Sequence, residues 1–184
     1  MKKIVILHAI SAFGCVICGI LLCAAQTSFL PHYLSDAFFV PDLLLCLSVG
    51  LGVLAGPCGG IYGALFGIYA GVLADSTAGC GIFLLPLVYM LCGYGAHVCA
   101  DLLPNKKFTV YLAVGAAAAL LRAVIAVIYV FLSAGSVPLP DVARYVCIPL
   151  FLGTLLALLP TYIASLALTL PVRKIKHQNI DKFT

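Results

Sequence analysis

Four glycines, Gly59, Gly63, Gly67 and Gly71, recur at every fourth residue of GGIYGALFGIYAGVLAD, and the series closes on Asp75. On a helix that spacing holds them to one face, drifting slowly around it. In water such a helix is a poor one, because each interior glycine costs roughly 1 kcal/mol relative to alanine. The residues between them, Ile61, Tyr62, Leu65, Phe66, Ile68, Tyr69, Val72 and Leu73, suit lipid or a protein interior. In a bilayer the same stripe is useful, since small residues let a neighbouring backbone approach closely. The stretch therefore points to a membrane helix bundle and is silent about its task.

Composition agrees. Of 184 residues 64% are hydrophobic and only 9% charged, a balance that fits several membrane spans better than one soluble core. Glutamate is absent, and all the acids are aspartates, which favour caps and loop edges. The net charge of +4 comes from short basic clusters between apolar runs. That is a pattern of membrane orientation, so no nucleic-acid partner is expected. Most of the nine cysteines fall inside apolar runs, where a thiol behaves as a small hydrophobe. Cys15 and Cys18 form a C-x-x-C, but inside a span, with no second pair and no histidine at ligand spacing; it reads as packing. No metal or cofactor is expected.

Lys2 and Lys3 precede an apolar run from Ile4 to Ala25. A signal peptide is the other reading of such a start, but this run is long enough to span and further spans follow. The apolar runs place spans at about 4–25, 41–55, 59–75, 82–100, 108–132 and 145–171. The expectation is an all-α polytopic membrane protein with six transmembrane helices in one domain, residues 1–172. A basic, disordered cytoplasmic tail follows at 173–184. The second and third spans form a hairpin around Gly56-Pro57-Cys58-Gly59, with Ser48, Gly52 and Gly56 again spaced by four. Each arm is only about 16 residues, roughly 24 Å against a ~30 Å hydrocarbon core, so the turn should be sheltered by other helices. Kinks are expected at Pro86 and Pro160.

Placing both termini in the cytoplasm puts Lys2, Lys3, Lys106, Lys107, Arg173, Lys174, Lys176 and Lys182 inside, with Arg144 outside and Arg122 in the membrane. That asymmetry sets the orientation. Asp36, Asp42, Asp75 and Asp141 then lie on the outer side. His97 and Asp101, at i and i+4, either pair or sit separately at the inner interface.

Arg122 stands out, since an arginine inside a span costs a few kcal/mol and usually faces the bundle with a partner. Asp75 or Asp42, at the outer helix ends, can supply it; the duller reading is an arginine that snorkels to water or lipid. Asp42 suits a helix N-terminus, whereas Asp75 meets the unfavourable end of its helix dipole and needs another stabiliser. Ser48, Ser133 and Ser165 have no histidine nearby in sequence, and no phosphate loop or cofactor motif appears, so no enzyme is expected.

Pro41-Asp42-Leu-Leu-Leu, the glycine-rich helix, and Gly71-Val-Leu-Ala-Asp75-Ser-Thr-Ala-Gly79 resemble the MreD family of bacterial rod-shape-determining membrane proteins. Pro41 and Asp42 match its proline-acid start to the second span; Gly71, Asp75 and Gly79 match its G-x-x-x-D-x-x-x-G close to the third. The resemblance covers roughly residues 40–100 and elsewhere extends only to hydropathy. Where the family commonly has another glycine about four residues beyond Gly79, this chain has Gly81, which implies a differently shaped loop. The resemblance implies a non-enzymatic subunit of the cell-elongation machinery in the inner membrane. Its partners would be MreC, MreB and a polymerase–transpeptidase pair, along with membrane lipid, and no small-molecule ligand. The glycine stripe would then pack within the bundle or against a partner's helix. The family is also similar in fold to the substrate-binding S-components of energy-coupling-factor vitamin transporters, which makes a transporter subunit the alternative.

Overall fold

The computed structural model describes residues 2–29, 41–78, 84–134 and 138–180, and among them the secondary structure is entirely helical. Six long elements follow one another: α1 (Lys2–Ala24), α2 (Leu43–Leu54), α3 (Gly59–Ala78), α4 (Leu84–Leu102), α5 (Lys107–Ala134) and α6 (Ile148–Ile180). A π turn, Ala25–Phe29, extends α1, and a short helix (Leu139–Val142) with a second π turn (Ala143–Cys147) leads into α6.

Local chemistry sets the ends of α2. Its N-cap is Asp42, whose carboxylate accepts the Leu45 N–H at 3.1 Å and so satisfies one of the free donors of the first turn. Its far end stops at Gly56, which takes φ +65°, a conformation glycine adopts without strain. Pro57 then opens a single 3-10 turn, Gly56–Cys58, and α3 begins at once. Pro104 does the same in the turn Pro104–Lys106 between α4 and α5.

α2 is the axis of the molecule. Every residue from Leu44 to Leu54 is buried, and α1, α3, α4, α5 and α6 all touch it. The other helices instead carry apolar residues on their outer faces: Ile6, Phe13 and Leu21 on α1, Leu65 on α3, Leu91 on α4, Leu120 on α5, Ile163 on α6. A buried apolar axis inside an apolar exterior is the arrangement of a bundle whose solvent is lipid.

Among the described residues five helices are long and apolar enough to cross a membrane; α2 is shorter. With 12 residues it covers about 18 Å, well short of a ~30 Å core. Of the six expected spans, five are thus of membrane length among the described residues, and the sixth, α2, is a shorter apolar helix sheathed by the others. The reason is visible in the burial: a helix that meets only protein need not match the bilayer's thickness. Two further boundaries differ. α3 continues past Asp75 to Ala78, and α6 continues from the membrane-length segment to Ile180 through residues expected to form a disordered tail. Pro86 falls in the first turn of α4, where its missing N–H costs nothing. Pro160 lies within the unbroken α6.

Candidate functional site

The densest chemistry surrounds Asp42. Its side chain is 1% exposed, and one carboxylate oxygen, Oδ1, is committed to capping α2. The other, Oδ2, accepts the Arg122 Nε–H of α5 at 3.2 Å and the Tyr89 hydroxyl of α4. The Asp42 backbone N–H donates to Thr154 Oγ1 of α6 at 3.2 Å, and that hydroxyl donates to the Leu150 carbonyl at 2.6 Å. Four helices therefore converge on one residue, α2, α4 and α5 at its carboxylate and α6 at its backbone N–H. Of the two acids able to answer Arg122, Asp42 is the partner, and the arginine faces the bundle with its side chain 17% exposed.

Burying a carboxylate and a guanidinium is tolerable only with paired charges and satisfied hydrogen bonds. Both conditions hold here: Asp42 receives a side-chain cation, a phenol and a backbone amide. A second hydroxyl group of contacts lies one turn further along α2. Tyr111 Oη is 2.8 Å from Thr161 Oγ1 and donates weakly to the Cys46 carbonyl at 3.4 Å. The arrangement fixes helices against one another; it presents no nucleophile beside a base.

Asp75 has the opposite character. It is buried on the last turns of α3, and its Oδ2 has no hydrogen-bond partner among the described residues. Gln26 Oε1, in the π turn that ends α1, is likewise buried and unpartnered. Both helix ends lie at the same end of the bundle, since α1 and α3 run parallel through the His8–Tyr62 and Val16–Tyr69 hydrogen bonds.

The glycine stripe of α3 packs inside the bundle. A Cβ at Gly67 would lie 2.5 Å from the Tyr89 carbonyl oxygen, and one at Gly63 would lie 2.7 Å from the Gly93 oxygen and 2.9 Å from Gly52 Cα. At Gly71 it would run into Pro86, and at Gly59 into the Gly52 carbonyl. α3 therefore lies backbone to backbone along α4, with Gly93 answering from the other side and Gly52 joining from α2. Ser48 binds the three helices where they meet, donating to the Gly63 carbonyl (3.3 Å) and the Tyr89 carbonyl (3.1 Å). Gly56 stands apart: it is a turn residue with open space around it.

Pro41 begins the described segment before α2, and Gly79 lies outside the described residues. His97 Nε2 does approach Asp101 Oδ2, at 3.3 Å, with the aspartate mostly exposed. Tyr89, Thr154 and Gly93 were not singled out from the sequence. For Thr154 a signal existed: Thr154, Thr161, Ser165 and Thr169 recur at helical spacing in α6, and all four are buried. Among the described residues no three of His, Cys, Asp or Glu gather as metal ligands. The chain matches no protein-family model, no curated protein and no solved structure.

Proposed function

We propose that this chain is a non-catalytic scaffold subunit of the bacterial cell-elongation machinery, similar in role to the MreD family. It works in the inner membrane with both termini in the cytoplasm, beside MreC, MreB and the polymerase–transpeptidase pair that builds lateral peptidoglycan. The observation that carries this reading is where the resemblance residues fall. Asp42 is the hub that four helices share, and Gly71 belongs to the backbone seam between α3 and α4. The segment that resembles the family is thus the segment that fixes the bundle's shape, as suits a protein whose task is to hold others in place. With the stripe consumed internally, partners have the outer apolar faces of the bundle to dock on. Depleting the protein from rod-shaped cells tests the reading. Rounded cells are the expected outcome; unchanged rods with normal lateral wall synthesis overturn it.

One observation favours a second reading, a substrate-binding transporter subunit. Gln26 Oε1 and Asp75 Oδ2 are buried acceptors without donors among the described residues at one end of the bundle, and a small polar ligand would supply them. Equilibrium binding to the purified protein separates the two. A vitamin held at nanomolar affinity establishes the transporter reading and removes the scaffold.

A further inference from the structure

The seam between α1 and α3 is open for half its length. It is closed at Gly19, where the Tyr69 ring lies so near that an added Cβ would sit 2.5 Å from it, and where the Tyr69 hydroxyl donates to the Val16 carbonyl at 3.1 Å. Between there and Cys58 the helices part and leave a cleft of about 630 Å³. Small residues, Ala9, Ala12 and Cys15, form the α1 wall, and Ile61 and Leu65 belong to the α3 wall. Polar atoms gather at one end. There His8 Nδ1 and Tyr62 Oη lie 2.7 Å apart with their rings stacked. When Tyr62 donates to Nδ1, the one N–H of the neutral His8 ring is on Nε2, which has no acceptor among the described residues.

This polar end has a charged setting. The start of α1, the Pro104–Lys106 turn, the start of α5 and the end of α6 all lie at that end of the bundle. The sequence places Lys2, Lys3, Lys106, Lys107, Arg173 and Lys174 in those segments. An apolar trough, a single free donor at its end and a cluster of cations beyond match an amphiphile with an acyl body and a negative head. A transmembrane helix fits less well. It is roughly 10 Å across and would need small residues on both walls to come close, whereas the α3 wall is bulky.

We propose that the cleft binds one anionic phospholipid. One acyl chain lies between α1 and α3, an ester or phosphate oxygen accepts from His8 Nε2, and the headgroup lies at the end of the bundle where α1 begins. This site depends only on the chain being a membrane protein and is independent of the role proposed above.

The test uses the full-length protein reconstituted in mixed phosphatidylcholine and phosphatidylglycerol bilayers, with retained lipid counted by native mass spectrometry. One phosphatidylglycerol per chain is expected. Ala12→Trp, which fills the trough from an exposed position, should abolish its retention; Leu65→Trp should do the same from the opposite wall, so that misfolding of either variant alone does not decide the matter. Lys2→Gln with Lys3→Gln should lower the preference for phosphatidylglycerol about tenfold while leaving phosphatidylcholine binding unchanged. Equal retention of the two lipids by the wild-type chain overturns the proposal. So does undiminished phosphatidylglycerol on both folded tryptophan variants, or loss of a protein dimer instead of a lipid, which would assign the cleft to a second copy.

Discussion

The two faces of α3 meet their neighbours in opposite ways. Toward α4 its glycines bring main chain against main chain, and Ser48 spans carbonyls of both helices. Toward α1 the helices meet at Gly19 and Tyr69 and again at His8 and Tyr62, beside an open cleft. Both faces are apolar, so hydrophobicity does not separate them. In lipid the hydrocarbon tails are as apolar as leucine, and helices associate through close packing and hydrogen bonds. Where small residues face one another the helices seal; where Ile61 and Leu65 stand against Ala9 and Ala12 they part. The comparison implies that stability resides on the α2–α3–α4 side and adaptability on the α1 side.

The largest effect is expected at the hub. Arg122→Ala leaves Asp42 buried without its cation, and should lower unfolding free energy by about 3–5 kcal/mol, measured by denaturation of the purified protein in detergent. Adding Asp42→Asn should recover part of that loss, because the two residues are coupled; strictly additive losses would show that they do not act as a pair. Gly67→Leu comes next. It forces a side chain into the Tyr89 carbonyl, and should cost at least the ~1–3 kcal/mol typical of overpacking. A folded variant of unchanged thermal midpoint would break the contrast outright, since the α3–α4 seam would then be as yielding as the α1 side. Tyr89→Phe removes one donor from Asp42 Oδ2 and should cost about 1–3 kcal/mol by the same assay. The smallest change is expected from Phe13→Leu on the exposed face of α1, within about 0.5 kcal/mol. A larger loss there would mean that α1 contributes more than its few contacts with α3 suggest.

The sequence made the helices legible because apolar runs of membrane length have few other interpretations. The Arg122–Asp42 pair was legible for a related reason: an intramembrane arginine is costly enough to demand an answer, and only the acids at the outer helix ends could give it. Which acid answered was not legible, since both stood at suitable ends of neighbouring helices. Tyr89 left no comparable trace, because a hydroxyl in an apolar run announces no partner, and Thr154 showed only through the hydroxyl spacing of α6, which marks a face and not a partner. Gly93 lacked the periodic company that exposed the α3 stripe. The central place of α2 was hidden too. A helix surrounded by protein and one surrounded by lipid need the same apolar residues, and only its shortness hinted at the difference.

The Asp42 hub also sets an order for biogenesis. Asp42 enters the membrane with α2, but Arg122 follows 80 residues later and Thr154 112 residues later. Until α5 has inserted, the nascent amino-terminal half carries this acid without Arg122, at the cap of a helix too short to cross alone. The α2–α3–α4 seam needs only helices made early, whereas the Asp42 hub closes only once the carboxy-terminal pair has arrived.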